Sequence, residues 1–186
     1  TLDMPKANYV APVSFDRTTD LRDVNLSNIN IRGRDYSSGF IARGETLGIT
    51  NINTSNVTVN ATGNYVGGVI GYATYYWTTI VFNINATDMN VTSTGNYVGS
   101  VFGYGGAQNI NVLRATVIGN SLVGGVAGQL HAGNGHHVII TDSTVTGKAN
   151  DIGGVAGYAY NQQYNYVDNV KIYGIGNSSN NVGGIT

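Results

Sequence analysis

The sequence predicts an all-β protein, a right-handed parallel β-helix (β-solenoid) of about six coils, each of ~29 residues and three short strands. Three observations predict it: a recurring glycine-rich phrase, an alternating apolar–polar strand before each copy, and no convincing helical period. A strand triplet of this length buries its apolar side only when copies stack in parallel. Right-handed coiling follows from the handedness of parallel crossover connections.

The glycine-rich phrase reads Val-Gly-Gly-Val-x-Gly in its clearest copies, which start at Val66 and Val123. One small residue in each copy marks the repeat, and the steps between these residues are 29, 32, 25, 29 and 30 residues. The structural repeat positions are Gly39, Gly68, Ser100, Gly125, Gly154 and Gly184. The last glycine of the phrase recurs in four copies, as Gly71, Gly103, Gly128 and Gly157, and indicates corners that need a positive φ or a close backbone approach.

Alternating strands precede the glycine phrases, for example at 49–59, 80–91 and 138–145. Most are rich in β-branched residues, and clusters of Asn, Gly, Ser and Thr between them indicate turns. Stacked coils would align equivalent residues in ladders. The expected ladders are Tyr36, Tyr65 and Tyr97 followed by Leu122; Tyr72, Tyr104 and Tyr158 interrupted by Gln129; and inward-facing Val69, Val101, Val126, Val155 and Ile185.

Residues 1–20 differ from the repeats because they hold both prolines and no glycine phrase. They are either a linker or an N-terminal cap over the edge of the first coil. Residues 21–186 form the repeat array. The chain starts without Met and stops inside a fifth clear copy, so we expect a fragment whose repeats and contiguous domains continue in a longer parent chain.

Composition excludes several classes of function. The net charge of −1 and the low charged fraction of 10% disfavour a nucleic-acid partner, which needs a basic surface. No apolar stretch approaches the length of a transmembrane helix, so we expect no membrane insertion. The chain has no Cys, which excludes disulfides, thiolate catalysis and Cys-ligated metals.

Aromatic residues after the glycine phrases are the candidate partner-binding residues, because protruding loops often carry contacts. They are Tyr75, Tyr76, Trp77, Tyr160, Tyr164 and Tyr166. The expected partner is a host protein or a glycan. The tyrosine ladders are interpreted as packing, with a sugar-binding strip as the alternative.

The search for chemistry yields no catalytic residue, no cofactor and no metal site. His131, His136 and His137 share one glycine-rich loop, which is interpreted as solvated because no carboxylate lies in it. Asp88 and Asp142 would lie two coils, or ~10 Å, apart, a spacing that an inverting glycosidase can use, but no charged cluster surrounds them. The many Asn-x-Ser/Thr triplets are attributed to composition.

The glycine phrase and the Asn- and Thr-rich strand before it resemble the GLUG repeat of bacterial cell-surface proteins. That repeat occurs in adhesin-like proteins and upstream of the catalytic domain in immunoglobulin-A1-specific zinc metalloproteases of streptococci. The resemblance covers about residues 21–186, with Val or Ile where Leu is common. The zinc-binding HExxH motif is absent, so no catalytic residue carries over.

The resemblance implies an extracellular protein, either secreted or attached to the cell wall. We therefore expect a non-catalytic solenoid module that acts as a rigid spacer or as an arm engaging a substrate or host, in some parents beside a zinc metalloendopeptidase domain. Two alternatives remain: an adhesin module that binds host protein or glycan through aromatic loops, and an enzyme that acts on polysaccharide.

Overall fold

The computed structural model is all-β, and its parallel strands stack as a β-solenoid of about six turns, which confirms the predicted fold class. The structure describes residues 1–16, 19–45, 47–74, 80–131, 137–160, 165–176 and 181–184. Over these ranges the chain contains no helix. It therefore contains no helix that is long and apolar enough to cross a bilayer.

The described part of the chain forms strands in a repeating order of one long strand, one of two residues and one of four. They are β1 (Leu2–Asp3), β2 (Val13–Asp16), β3 (Thr19–Gly33), β4 (Ile41–Gly44), β5 (Leu47–Ala61), β6 (Val66–Gly67), β7 (Ile70–Ala73), β8 (Ile80–Ser93), β9 (Val98–Gly99), β10 (Phe102–Gly105), β11 (Gln108–Gly119), β12 (Val123–Gly124), β13 (Ala127–Leu130), β14 (Val138–Thr141), β15 (Thr144–Gly147), β16 (Ile152–Gly153), β17 (Ala156–Ala159), β18 (Asn165–Asp168), β19 (Lys171–Gly174) and β20 (Val182–Gly183).

Three parallel sheets run along the solenoid axis, and the middle coils contribute to all three; the six-stranded sheet extends from β2 to β17 and the five-stranded sheet from β6 to β20. The nine-stranded sheet contains the long strands, and from the fifth coil onward the long strand is split, first into β14 and β15. The six-stranded sheet holds the four-residue strands and the five-stranded sheet the two-residue strands. Val98 pairs with Val66 on one side and Val123 on the other, so the glycine phrases align along one axis as predicted.

The long strands are longer than the short strands predicted, because residues in the left-handed region bend them without ending them. In β5 these residues are Asn51 (φ 59°) and Asn56 (φ 52°). Each bend places two successive side chains outward, so that Ile49, Ile52 and Val57 all still face the core. Asn and Asp adopt this backbone region more readily than other non-glycine residues, which explains their frequency at the bends.

The prediction that Gly71 and Gly103 mark corners is wrong, because they lie within strands β7 and β10; of the two reasons given for glycine there, a positive φ or a close backbone approach, the structure shows the close approach. Neither Gly71 nor Gly103 has a positive φ. A Cβ on Gly71 would lie 2.5 Å from the carbonyl oxygen of Ala42, and one on Gly103 would lie 2.5 Å from that of Gly71. These glycines are required because neighbouring backbone segments pass too close for a side chain.

The core is a continuous column of apolar side chains inside the coils. The predicted inward valines Val69, Val101, Val126 and Val155 are at most 1% exposed, while Ile185 lies outside the described residues. Residues 1–16 extend the stack at its first edge. There β1 pairs with β3, β2 pairs with β4, and Val10 enters the core with 3% exposure.

Candidate functional site

The predicted partner-binding aromatics fall into two groups. Tyr75, Tyr76, Trp77 and Tyr164 lie outside the described residues. Tyr160 and Tyr166 are described, and both are exposed, by 47% and 57%. Tyr160 follows the last strand of the six-stranded sheet, whereas Tyr166 lies in β18 of the nine-stranded sheet, so the two residues belong to different parts of the surface.

The first tyrosine ladder has four stacked rings where the sequence predicts three. The centroid distances are 4.7 Å for Tyr9–Tyr36, 5.0 Å for Tyr36–Tyr65 and 4.6 Å for Tyr65–Tyr97. Sequence reasoning missed Tyr9 because no glycine phrase follows it, although its spacing from Tyr36 is close to one repeat. All four tyrosines, and Leu122 in the next coil, have a positive φ and form the corner of the coil.

A second ladder packs at right angles against the first. Tyr72 and Tyr104 stack at 4.6 Å, and the ring of Tyr65 meets that of Tyr72 at 5.2 Å with an interplanar angle of 89°. Gln129 pairs with Tyr104 and with Tyr158, so it interrupts this ladder as predicted. The ring faces pack on one another, and stacking on a sugar needs a free ring face, so the arrangement supports packing over a sugar-stacking strip.

Burial of these rings changes their acid–base behaviour. The pKa of Tyr65 is raised to about 12. Burial is the largest cause, and the electrostatic effect of the neighbouring Tyr97 is the second. Burial also raises the pKa of Tyr36 and of Tyr104. Tyr36, Tyr65 and Tyr104 therefore stay neutral at physiological pH, and the stacked rings stabilise the corner.

His131 joins the end of the second ladder to exposed tyrosines. Its Nε2 atom hydrogen-bonds the hydroxyl of Tyr104, and its ring stacks on Tyr160 at 5.6 Å. Tyr158 meets Tyr160 edge-on at 4.9 Å. Burial lowers the pKa of His131, so the imidazole is neutral near pH 7. We call Tyr104, His131, Tyr158 and Tyr160 the histidine–tyrosine cluster.

The three histidines of the sequence analysis do not act together in the described structure. His136 lies outside the described residues, and His137 stands at the end of a row of asparagines on the nine-stranded sheet. Where the chain is described, no three His, Cys, Asp or Glu side chains are grouped closely enough to hold a metal ion.

Two rows of asparagine side chains cover the outer face of the nine-stranded sheet. The corner row consists of Asp23, Asn51, Asn83 and Asn109, and the strand row consists of Asn25, Asn53, Asn85 and Asn111. In the corner row each amide nitrogen donates to the residue one coil before it, at 2.8, 2.9 and 3.0 Å. In the strand row Asn53 donates to Asn25 and Asn85 to Asn53, both at 3.0 Å.

A shallow groove of about 420 Å³ lies between the two asparagine rows and ends near His137 and Ile139. A smaller groove of about 280 Å³ lies on the other side of the strand row. Sequence reasoning attributed the asparagines to composition and missed both rows. The signal was present, since Asn25, Asn53, Asn85 and Asn111 recur at the repeat spacing.

The two carboxylates considered for glycoside chemistry share one column with an arginine between them. Arg114 donates to Asp88 through Nε at 2.6 Å and through Nη2 at 3.0 Å, and Asn169 donates to Asp142 at 2.6 Å. The Arg114 hydrogen bonds lower the pKa of Asp88. A general acid needs the opposite shift, so this arrangement does not suit a glycosidase pair.

Comparisons with known proteins leave the ladders and grooves as the main guide to function. No family model matches the chain, and neither the curated proteins nor the solved structures contain a significant match to it. The likeness of the glycine phrase to the GLUG repeat therefore stays a prediction.

Proposed function

We propose that this chain is a non-catalytic module of an extracellular bacterial surface protein, in which the stacked coils form a rigid spacer that carries a partner-binding surface. The observation that carries the proposal is the unbroken core and hydrogen-bond ladder from coil to coil. The nine-stranded sheet joins the coils from β1 to β18 and β19, and in the middle coils the two smaller sheets continue beside it, so neighbouring coils there are bonded on three faces.

The pairing of the charged groups supports a structural role over catalysis. In the repeat body Asp88 is held ionised by Arg114, and Asp142 accepts a hydrogen bond from Asn169. These contacts link successive coils along one corner and cover the same oxygen atoms that an acid–base reaction would need. Polysaccharide cleavage by this pair is accordingly the weaker alternative.

The extracellular placement, and a neighbouring zinc metalloendopeptidase domain in some parents, rest on the resemblance of the glycine phrase to the GLUG repeat. The low charge and the abundance of Asn and Tyr are consistent with a surface protein. In this setting the coils would separate or present neighbouring domains, with no cofactor of their own.

A distance measurement between spin labels tests the rigid spacer. Arg32 and Tyr173 occupy the same column five coil steps apart, and both side chains are exposed. The chain has no Cys, so labels attach only to Arg32→Cys and Tyr173→Cys. We expect one narrow distribution that corresponds to a backbone separation of ~24 Å. A broad or double distribution would overturn the proposal, and the same labels in denaturant provide the broad reference.

An adhesin is the second candidate, favoured by the histidine–tyrosine cluster. Tyr158 and Tyr160 are 42% and 47% exposed and meet edge-on, so aromatic surface is presented on a pre-formed support. Aromatic groups with limited conformational freedom are typical of binding surfaces. Binding to immobilised host extracellular-matrix proteins that is lost in Tyr160→Ala and kept in Tyr160→Phe would support this candidate, and equal binding by both variants would count against it.

A further inference from the structure

We infer that the groove between the two asparagine rows is a binding site for a neutral linear polysaccharide, which lies along the solenoid axis with one end against Tyr166. The inference rests on the proposed role as a partner-binding arm and names its ligand. It places the site on the nine-stranded sheet, away from the histidine–tyrosine cluster.

The hydrogen-bonding capacity of the rows is the first argument. A side-chain amide has two N–H donors and an oxygen with two lone pairs. Within the ladder Asn53 donates one hydrogen to Asn25 and accepts one from Asn85, and Asn51 stands likewise between Asp23 and Asn83. Each such amide has one further donor and one further acceptor for a ligand, a combination that matches sugar hydroxyls, which both donate and accept.

The ladder bonds also fix the amides before any ligand arrives. Asn51, Asn83 and Asn109 of the corner row, and Asn53 and Asn85 of the strand row, each donate to the residue one coil before. The rotamers of these side chains are already selected, so binding costs less conformational entropy than at independent surface asparagines. The corner row is held further by its left-handed backbone, with φ of 59° at Asn51 and 55° at Asn83. The groove is thus a pre-organised polar surface with donors and acceptors repeated at every coil.

The shape and length of the site suit a linear chain. The groove follows the axis and is open to solvent along its length. The strand row continues from Asn111 through Ile139 to Tyr166 in the pairing register. The column from Asn25 to Tyr166 comprises five coil steps, which amount to ~24 Å at the strand spacing. This length accommodates several sugar units in line.

Tyr166 supplies the apolar contact that sugar recognition commonly uses. Its side chain is 57% exposed in β18, one coil beyond Ile139, at the end of the strand row. In contrast to the ladder tyrosines, it stacks on no other ring within the described part of the chain, and the apolar face of a sugar ring can pack on its aromatic face. Ile139, half-buried beside it, continues the apolar end of the groove.

The charge of the rows selects against other polymers. Their only carboxylate is Asp23, at the end opposite Tyr166, and neither row contains Lys or Arg. Nucleic acids and acidic polysaccharides need basic groups along their path. A peptide strand cannot pair here either, since the groove lies on a sheet face whose backbone groups already bond between coils.

The test uses an array of neutral linear oligosaccharides, including glucans, mannans and xylans of four or more units, followed by calorimetry on the strongest binder. Asn85→Ala combined with Asn111→Ala removes two amides of the strand row, where neither residue has a positive φ that Ala would disfavour. We expect a roughly tenfold loss of affinity from this pair. Tyr166→Ala should lose roughly fivefold, and Tyr166→Phe should retain binding.

The matched control is Asn60→Ala combined with Asn90→Ala. These are exposed strand asparagines on the same sheet and outside the groove, and their replacement should leave affinity within about twofold. A second measurement needs no variant: in the wild-type protein the side-chain amide signals of Asn53, Asn85 and Asn111 should shift in heteronuclear NMR spectra when the oligosaccharide is added.

Three results would overturn the inference: no binding of the wild-type protein to any neutral glycan, binding unchanged by the groove variants, or binding lost only in Tyr160→Ala. If the double variant fails to fold, amide shifts confined to residues outside the two rows would overturn it as well. The spin-label distances test the rigid arm without any ligand, so failure of glycan binding and failure of the proposed function are distinguishable.

Discussion

The Ser100 hydroxyl donates a hydrogen bond to the carbonyl oxygen of Gly125, one coil further along the axis at the same repeat position. Ser100 is the one repeat position of the six without Gly, and it is fully buried. At Gly68, Gly125 and Gly154 an added Cβ would lie 2.1 to 2.3 Å from the carbonyl oxygen of the next coil. At Ser100 a side chain is accommodated, and its hydroxyl bonds the equivalent carbonyl oxygen of the next coil, that of Gly125.

We predict that Gly125→Val lowers the free energy of unfolding by about 3 kcal/mol. The new Cβ would fall 2.1 Å from the carbonyl oxygen of Gly154 and 2.4 Å from Cδ1 of Ile140, so backbone of the next coil would have to shift. Urea denaturation measures the change. Gly184→Val is the matched control, because no atom of the described residues lies within 4 Å of a Cβ built there, and it should be nearly neutral. Equal effects at both glycines would contradict the close-approach explanation.

A companion variant isolates the hydroxyl. Gly125→Ser should be less destabilising than Gly125→Ala, because its hydroxyl can donate to the carbonyl of Gly154 as Ser100 does to that of Gly125. If Ala is the better tolerated residue, the hydrogen bond of Ser100 does not explain why Ser is accepted there.

The corner charge pair predicts a measurable pH effect. The Arg114 hydrogen bonds lower the pKa of Asp88 below its ordinary value. The Asp88–Arg114 pair therefore stabilises the folded state at pH values above the ordinary carboxyl pKa. This stabilisation is lost as the pH falls through the lowered pKa of Asp88 in the folded protein. NMR titration of the Asp88 carboxyl should show the low pKa at low salt, and Arg114→Ala should return it to the ordinary range. An identical pKa in both proteins would show that the pair does not persist in solution.

The tyrosine ladder predicts loss of stability in alkaline solution. The pKa of Tyr65 is raised to about 12, whereas an unfolded tyrosine ionises near pH 10. The contribution of Tyr65 is complete below about pH 10 and declines as the pH rises toward 12, because only the unfolded state releases the proton in that window. Denaturation midpoints across this range test it. The stability of Tyr65→Phe should decline less steeply with pH than that of the wild-type protein. An equally steep decline in both proteins would show that other groups cause the effect.

The end of the first ladder offers a stabilising substitution. Leu122 follows Tyr97 in the same column and has a positive φ of 51°, close to the 60° of Tyr97. Leu122→Tyr would add one stacked ring without changing the backbone strain, since both residue types disfavour this region. We expect a gain of about 0.5–1 kcal/mol in unfolding free energy. Leu122→Phe should behave alike, and a loss in both variants would argue against stacking as the source of ladder stability.

Much of the architecture can be read from the sequence because a repeat of one phrase implies a repeat of one structure. The glycine phrase, the inward valines and the tyrosine columns all appear in the predicted register. These features depend on local pattern and on stacking of like upon like, which the spacing of residues alone conveys. The parallel solenoid was predictable for the same reason.

The corners could not be read in this way. The sequence suggested glycine for positive φ, yet Tyr65, Asn51 and Leu122 hold those conformations while Gly71 and Gly103 do not. The sign of φ at a corner is set by how the coil closes around its core. Several residue types can be forced into the left-handed region when packing and ladder bonds offset the local cost.

Each repeat carries its own alternation and its own glycines, and this local pattern is enough to specify the coil. The groups formed by surface residues depend on how the coils stack, as in the asparagine rows, Tyr9 on Tyr36 and His131 between Tyr104 and Tyr160. Coils of 25 to 32 residues differ in length, so the register of an outward side chain depends on where each coil bends. That is a property of the stacked whole, since hydrogen bonds between coils fix the bends.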